Sequence, residues 1–228
     1  MIQMHHVSKT YPSQILALSD ISLEIPPGEF VFISGPSGSG KSTLLRILFC
    51  EEKPTSGEVI INGIQITQRG FKRAYRLRRL MGIIAQDFKL LRDRTVGENI
   101  ALALEVTAHP PEEMGRMVQE VLSQVGLQER EHDSIFSLSA GEQQRVAIAR
   151  ALVTHPPLIL ADEPTGILDT QMKEEVMRLL ADLHQKGTTI LLATQDMDLV
   201  QRYAYRVIPL VAGKRMDVET GEEVKSEG

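Results

Sequence analysis

The sequence predicts an α/β fold: a mainly parallel core sheet, an N-terminal antiparallel β subdomain and an inserted α-helical subdomain. Three observations carry this reading. Strand-sized apolar runs at 158–161 and 190–193 alternate with helical patterns, as in a parallel sheet. Residues 1–33 break into short strands separated by turns at 11–13 and 26–28. Residues 98–134 carry helical spacing of their apolar positions.

The elements follow in order. Residues 29–34 form a compact apolar strand that runs into a glycine-rich loop and then an apolar helix over 41–48. Residues 58–61 and 65–67 flank Asn62-Gly63, a dipeptide that suits a two-residue hairpin because both positions need positive φ. In the helical stretch, Met114, Met117, Val118, Val121, Leu122 and Val125 share one face, and Gly126 is a C-terminal stop. Residues 158–161 are a buried strand. Residues 171–185 are a helix with Met172, Val176, Leu179, Leu180 and Leu183 inward, and 188–193 are another strand. The expected organisation is one domain over 1–213, with the helical subdomain at about 87–150, then a polar, acidic, loosely ordered tail over 214–228.

Composition narrows the function. The 228 residues are 42% hydrophobic and 24% charged, enough to bury a real core. A formal charge of −5 lacks the global basic footprint of a nucleic-acid binder, so no nucleic-acid partner is expected. The one cysteine, Cys50, excludes an intrachain disulfide and fits a reducing compartment. The first ten residues lack a signal-peptide core, and no run approaches the roughly 18 apolar residues of a membrane span. Membrane contact is therefore expected only through a partner. The six histidines show no metal-ligand spacing, and His5 and His6 are expected on an exposed strand end.

The strongest local motif is Gly35-Pro36-Ser37-Gly38-Ser39-Gly40-Lys41-Ser42, a full match to G-x-x-x-x-G-K-[ST] set between a strand and a helix. Small residues let the backbone wrap phosphates with its N–H groups inward. The following helix presents its positive end to the anion. Lys41 reaches the β- and γ-phosphates and the Ser42 hydroxyl ligates Mg2+. The nucleotide-contacting candidates run from Gly35 through Ser42 to Thr43, with ATP and Mg2+ as cofactors, which makes the domain a P-loop NTPase. A ligand-free glycine-rich turn is the bland alternative. Asp162 and Glu163 follow the apolar run 158–161. Asp162 is placed to hold Mg2+, and Glu163 to polarise the attacking water beside the γ-phosphate. Paired acids after a strand also suit a turn or cap, but the phosphate loop in the same chain favours the catalytic reading.

Leu138-Ser139-Ala140-Gly141-Glu142-Gln143-Gln144-Arg145-Val146, shortly before that acid pair, resembles the signature motif of the ABC ATPases. Ser139 and Gly141 open a helix running through Arg150, a second anion-binding helix start, and Ser139 with Glu142 is also a capping box. The resemblance covers about 1–213. It implies that Ser139, Gly141 and Glu142 close on the ATP held by a second copy. One copy of each motif per chain means that two complete sites need two chains. The resemblance also implies that Tyr11 stacks on adenine, and that Gln86 meets Mg2+ and the attacking water and reports to a membrane partner. Asp169 would contact the opposite subunit. The residues alone leave Tyr11 open as a core aromatic and Asp169 as the N-cap of the next helix. Where the family has a histidine facing the γ-phosphate, this chain has Gln195. An amide donates a hydrogen bond to a phosphate oxygen but cannot become cationic, so hydrolysis is expected to survive, slowly.

Within the family the chain looks most like the bacterial cell-division ATPases. The resemblance rests on Met1-Ile2, Val7-Ser8-Lys9 before Tyr11-Pro12, Asp93-Arg94-Thr95-Val96 and the run from Glu142 to Val146. It implies a polytopic membrane partner of four spans per chain, acting on cell-wall hydrolases, with this homodimeric chain peripheral on the cytoplasmic face of the inner membrane. Lipoprotein-release and small-molecule-export ATPases share much of the pattern and stand as the alternative. Phe88, Leu90 and Leu91, rimmed by Arg92, Asp93 and Arg94, suit either a docking groove or core packing. The basic run Lys72, Arg73, Arg76, Arg78 and Arg79 suits a solvated helix face or an anionic lipid surface.

Overall fold

The structure, a computed structural model, describes residues 1–216; the tail expected over 214–228 lies outside them from residue 217 on. Strands β1 (Ile2–Thr10) and β2 (Leu16–Ile25) come first, then β3 (Phe30–Ser34) and helix α1 (Lys41–Leu48). The hairpin β4 (Ser56–Ile61) and β5 (Ile64–Gln65) turns on Asn62 and Gly63, both at positive φ, as the dipeptide requires. Together β2-β1-β4-β5 make an antiparallel four-stranded sheet. His5 and His6 lie inside β1 rather than at its end, exposed beside a register shift that leaves His6 paired with Asp20 at 2.8 Å.

Helix α2 (Ala74–Arg78) leads to β6 (Met81–Ile84). The helical stretch then divides into α3 (Val96–Val106), α4 (Pro111–Gln124) and α5 (Ala140–Leu152). The α4 face expected to be apolar is inward: Val118, Val121, Leu122 and Val125 are buried, with Met114 and Met117 packed against them. β7 (Leu158–Asp162), α6 (Thr170–Gln185), β8 (Thr189–Thr194), α7 (Met197–Arg202), β9 (Arg206–Val211) and β10 (Lys214–Arg215) complete the chain. Ordered structure therefore continues past residue 213, because β10 pairs antiparallel with β9.

The second sheet runs β10-β9-β3-β8-β7-β6, and its four pairings from β9 to β6 are parallel. β3, β7 and β8 are buried along their whole length, as strands covered on both faces must be. One core joins this sheet to α3, α4, α5 and α6. The other is shared by the antiparallel sheet, α1 and the opposite face of the parallel sheet. The carboxyl ends of β3, β7 and β8 thus meet between a helical layer and a β layer, where an open α/β sheet holds its ligands.

Candidate active site

The loop after β3 is shaped by what cannot fit. Gly35 sits at φ 149°, and a Cβ there would collide with the Leu210 carbonyl; Gly40 sits at φ 105°, where a Cβ would collide with the Ala17 carbonyl. Gly40 also occupies the N-cap of α1 and offers no side-chain cap, unlike Thr95, Ser139 and Asp169 on α3, α5 and α6. The first N–H groups of α1 are thus left for an anion. Lys41 is buried, and its ammonium donates to the Gly35 carbonyl at 2.7 Å and the Pro36 carbonyl at 3.1 Å.

A cleft of about 360 Å³ opens over this loop, lined by Ser37 through Thr43 together with Tyr11, Gln86, Glu163 and Gln195. Sequence positions spread over 184 residues converge there. Tyr11 lies just past β1, outside both hydrophobic cores, with its hydroxyl 3.4 Å from the Thr43 hydroxyl and the Lys9 ammonium 4.9 Å from its ring centre. Ile15, Leu16 and Ala17 also line the cleft. The sequence reading did not identify them, because an apolar strand start carries no motif.

Asp162 closes β7 next to Ser42, and its Oδ1 is buried without a partner. A buried, unpaired carboxylate oxygen is costly, and here it adjoins a hydroxyl, the donor set a hard divalent cation takes. The Ser39 hydroxyl is likewise buried and unpaired. Burial pushes the Asp162 carboxyl above the ordinary carboxylate range, against the pull of Ser42 and Lys41. The same cause raises Glu163, opposed by the Thr194 hydroxyl, Lys41 and the Gln195 backbone.

Glu163 is held by geometry as well. It takes φ 49°, a conformation that costs a non-glycine residue about 1 kcal/mol or more. Its N–H donates to the Ala193 carbonyl at 2.9 Å, Thr194 Oγ1 donates to its Oε2 at 3.1 Å, and Lys41 Nζ is 3.8 Å from its Oε1. Thr194, which sequence reasoning did not identify, therefore orients the carboxylate from the neighbouring strand. Gln195 is exposed at the rim of the cleft.

The residues expected to close on the ATP of a second copy lie away from this cleft. Ser139, Gly141 and Glu142 are absent from its lining and stand at the start of α5. Ser139 accepts from the Glu142 N–H at 3.3 Å, and Glu142 accepts from the Ser139 N–H at 2.8 Å, so the capping box is formed. Asp169 caps α6, accepting from the Met172 N–H at 2.9 Å. Phe88, Leu90 and Leu91 are absent from the lining of the groove nearest Gln86: Leu90 packs on the core and Leu91 is exposed on the loop. The groove nearest Gln86, of about 330 Å³, is lined by Met81, Ile83 and Ala85 of the β6 region, Leu102 and Val106 of α3, and a basic rim that includes Lys89 and Arg150.

Comparison with known proteins agrees with this geometry. Residues 18–166 match the family model described as ABC transporter. The chain is 44% identical over 213 residues to the cell division ATP-binding protein FtsE of Bacillus subtilis, covering 93% of each chain. It is 45% identical over 215 residues to the protein of that name from Mycobacterium tuberculosis, covering 94% of each, and 41% identical over 213 residues to that of Escherichia coli, covering 93% of this chain and 96% of the relative. A solved dimeric post-hydrolysis state of the ATP-binding cassette MJ0796, bound to ADP and Pi, superposes with a TM-score of 0.89 at 39% identity, covering 95% of this chain and 97% of that one. With the phosphate loop, the acid pair and the capped helix start all in place, the chain belongs to the ABC transporter family, as an ATPase of the ABC type.

Proposed function

We propose that this chain is the ATP-hydrolysing subunit of a membrane complex of bacterial cell division, working as a pair of identical subunits that sandwich two ATP molecules. The observation that carries the pairing is the separation of the two phosphate-binding ends. The cleft over Gly35–Thr43 and the capped start of α5 are distinct surfaces of one chain, so each completes a site only with a second copy. The dimeric cassette it resembles and the cell-division relatives support the same reading.

The residues divide the work. Tyr11 stacks on the adenine, and the loop N–H groups with Lys41 grip the phosphates. Ser42, Asp162 and Gln86 are the candidate Mg2+ holders; the unpaired Asp162 Oδ1 fits that use. When bound, Mg2+ neutralises charge on the β- and γ-phosphates. Glu163, fixed by Thr194 and strained into one conformation, polarises the attacking water, and Gln195 and Gln86 order the γ-phosphate and that water. Ser139, Gly141 and Glu142 of the second copy cover the γ-phosphate from α5. The apolar groove beside Gln86 receives a segment of a polytopic, FtsX-like membrane partner, which holds the chain at the cytoplasmic face of the inner membrane.

The test is Glu163→Gln. Steady phosphate release falls by at least about a hundredfold, as for loss of a general base, while ATP now drives stable pairing on size exclusion. A variant that stays monomeric with and without ATP at high concentration contradicts the paired site.

A further inference from the structure

We infer that the segment linking β5 to α2 and β6 is a docking surface for an anionic phospholipid bilayer. Residues 69–80 carry Arg69, Lys72, Arg73, Arg76, Arg78 and Arg79 with no acid among them, in a chain whose formal charge is −5. None of these six cations has an ion pair among the described residues. Arg78 is committed to structure, donating to the Phe49 carbonyl at 2.9 Å and the Cys50 carbonyl at 2.8 Å, while Arg76 Nε donates within the patch to the Tyr75 hydroxyl at 3.2 Å. An unneutralised block of one sign is a large local potential on an otherwise acidic molecule, so the field orients the chain as well as attracting it.

Apolar and aromatic side chains are interleaved with the cations. Tyr75 is 52% exposed, with the guanidiniums of Arg76 and Arg79 5.9 and 5.8 Å from its ring centre; Ile64 and Leu80 are each 40% exposed. Cations around an exposed tyrosine and aliphatic side chains are the chemistry of a headgroup interface, where basic heads meet phosphates and the apolar parts enter the acyl boundary. Arg69, Lys72, Arg73 and Arg76 line a concavity of about 600 Å³ with Phe71 and Ile64. The remaining cations, Arg78 and Arg79, line the groove beside Gln86, so the basic band is continuous with the surface proposed to receive the membrane partner. β5 and β6 are edge strands of their sheets, and none of these residues lines the nucleotide cleft. The lipid contact is an addition to partner docking, and the test below contains no membrane protein, so its failure leaves the docking reading untouched.

The full-length chain is co-sedimented with vesicles of phosphatidylcholine alone and of equal parts phosphatidylcholine and phosphatidylglycerol. Each cation near such a surface contributes roughly fivefold in partitioning. The expected result is binding to the mixed vesicles only, weakened by salt. In the variant Arg69→Gln, Lys72→Gln, Arg73→Gln, Arg76→Gln, binding falls by about a hundredfold or more with ATP hydrolysis unchanged, since these side chains are exposed and outside the cleft. Equal binding by wild type and variant overturns the assignment, as does wild-type indifference to phosphatidylglycerol. Tighter binding of a polyglutamate peptide or a DNA duplex than of the vesicles, at one ionic strength and lost in the same variant, overturns the lipid assignment in favour of that partner.

Discussion

Arg150→Met isolates the link between the two ends of α5. Arg150 stands in the last turn of the helix that Ser139 begins, and its guanidinium donates to the Phe88 carbonyl at 2.6 Å and the Lys89 carbonyl at 2.7 Å. Those two residues follow Gln86 at φ 57° and 50°, consecutive left-handed conformations that cost non-glycine residues about 1–2 kcal/mol each. Two hydrogen bonds to a charged group contribute about 1.5–3 kcal/mol apiece, enough to hold the strained loop. Burial lowers the Arg150 pKa, so part of that gain offsets desolvation of the guanidinium. Methionine keeps most of the aliphatic stem and lets the loop relax, which leaves a net loss of about 2 kcal/mol. Thermal unfolding then falls by about 4–8 °C. Amide exchange at Phe88 and Lys89, whose N–H groups donate to Ala85 and Asp87, rises by about twenty-five-fold. Phosphate release falls with it, because Gln86 loses its fixed place. If the melting point drops while exchange at Phe88 and Lys89 stays at the wild-type rate, Arg150 is only packing α5 and the reasoning is refuted.

Gln195→His restores a side chain that can be cationic at the cleft rim, and faster phosphate release is expected; unchanged turnover and unchanged ATP-driven pairing contradict a role for this position. Asp196→Ala removes the N-cap of α7, where Asp196 accepts from the Leu199 N–H at 3.1 Å and meets Lys173 at 2.8 Å, and costs about 1 kcal/mol near neutral pH. The Lys173 hydrogen bond is the leading cause holding the Asp196 carboxyl below the ordinary carboxylate range. Its contribution is therefore complete above the unfolded carboxylate pKa and is lost as pH falls through the depressed folded value. Denaturant titrations of wild type and variant converge in acid; a gap that is constant with pH contradicts the assignment.

The parts of the site that lie contiguously in sequence were legible there. The phosphate loop, the acid pair ending β7 and the capping box at Ser139 each declare their chemistry within a few residues, and the strand–loop–helix of β3 and α1 follows from local pattern. Elements that depend on distant partners were not. β9 was missed because Pro209 interrupts its strand pattern; Pro209 lacks the N–H of a ladder donor but keeps its carbonyl, which accepts from the Met216 N–H. Met177 was left off the inward face of α6, although a buried stripe spans more than the narrow seam of Val176 and Leu180. The groove could not be read from Phe88, Leu90 and Leu91, because its walls come from β6, α3 and α5. Arg150 reaches across 62 residues to Phe88, and Thr194 across 31 to Glu163, separations at which no spacing rule operates.

The most direct measurement mixes two inactive proteins. Lys41→Ala disables the phosphate loop and Ser139→Ala the start of α5, so each variant alone forms pairs with no intact site. Lys41→Ala protomers and Ser139→Ala protomers are combined and phosphate release is followed. A site shared between chains predicts that activity returns on mixing, since one of the two sites then joins an unaltered loop to an unaltered helix start. Activity that stays at the level of the separate variants, with mixed pairs present, contradicts the shared site.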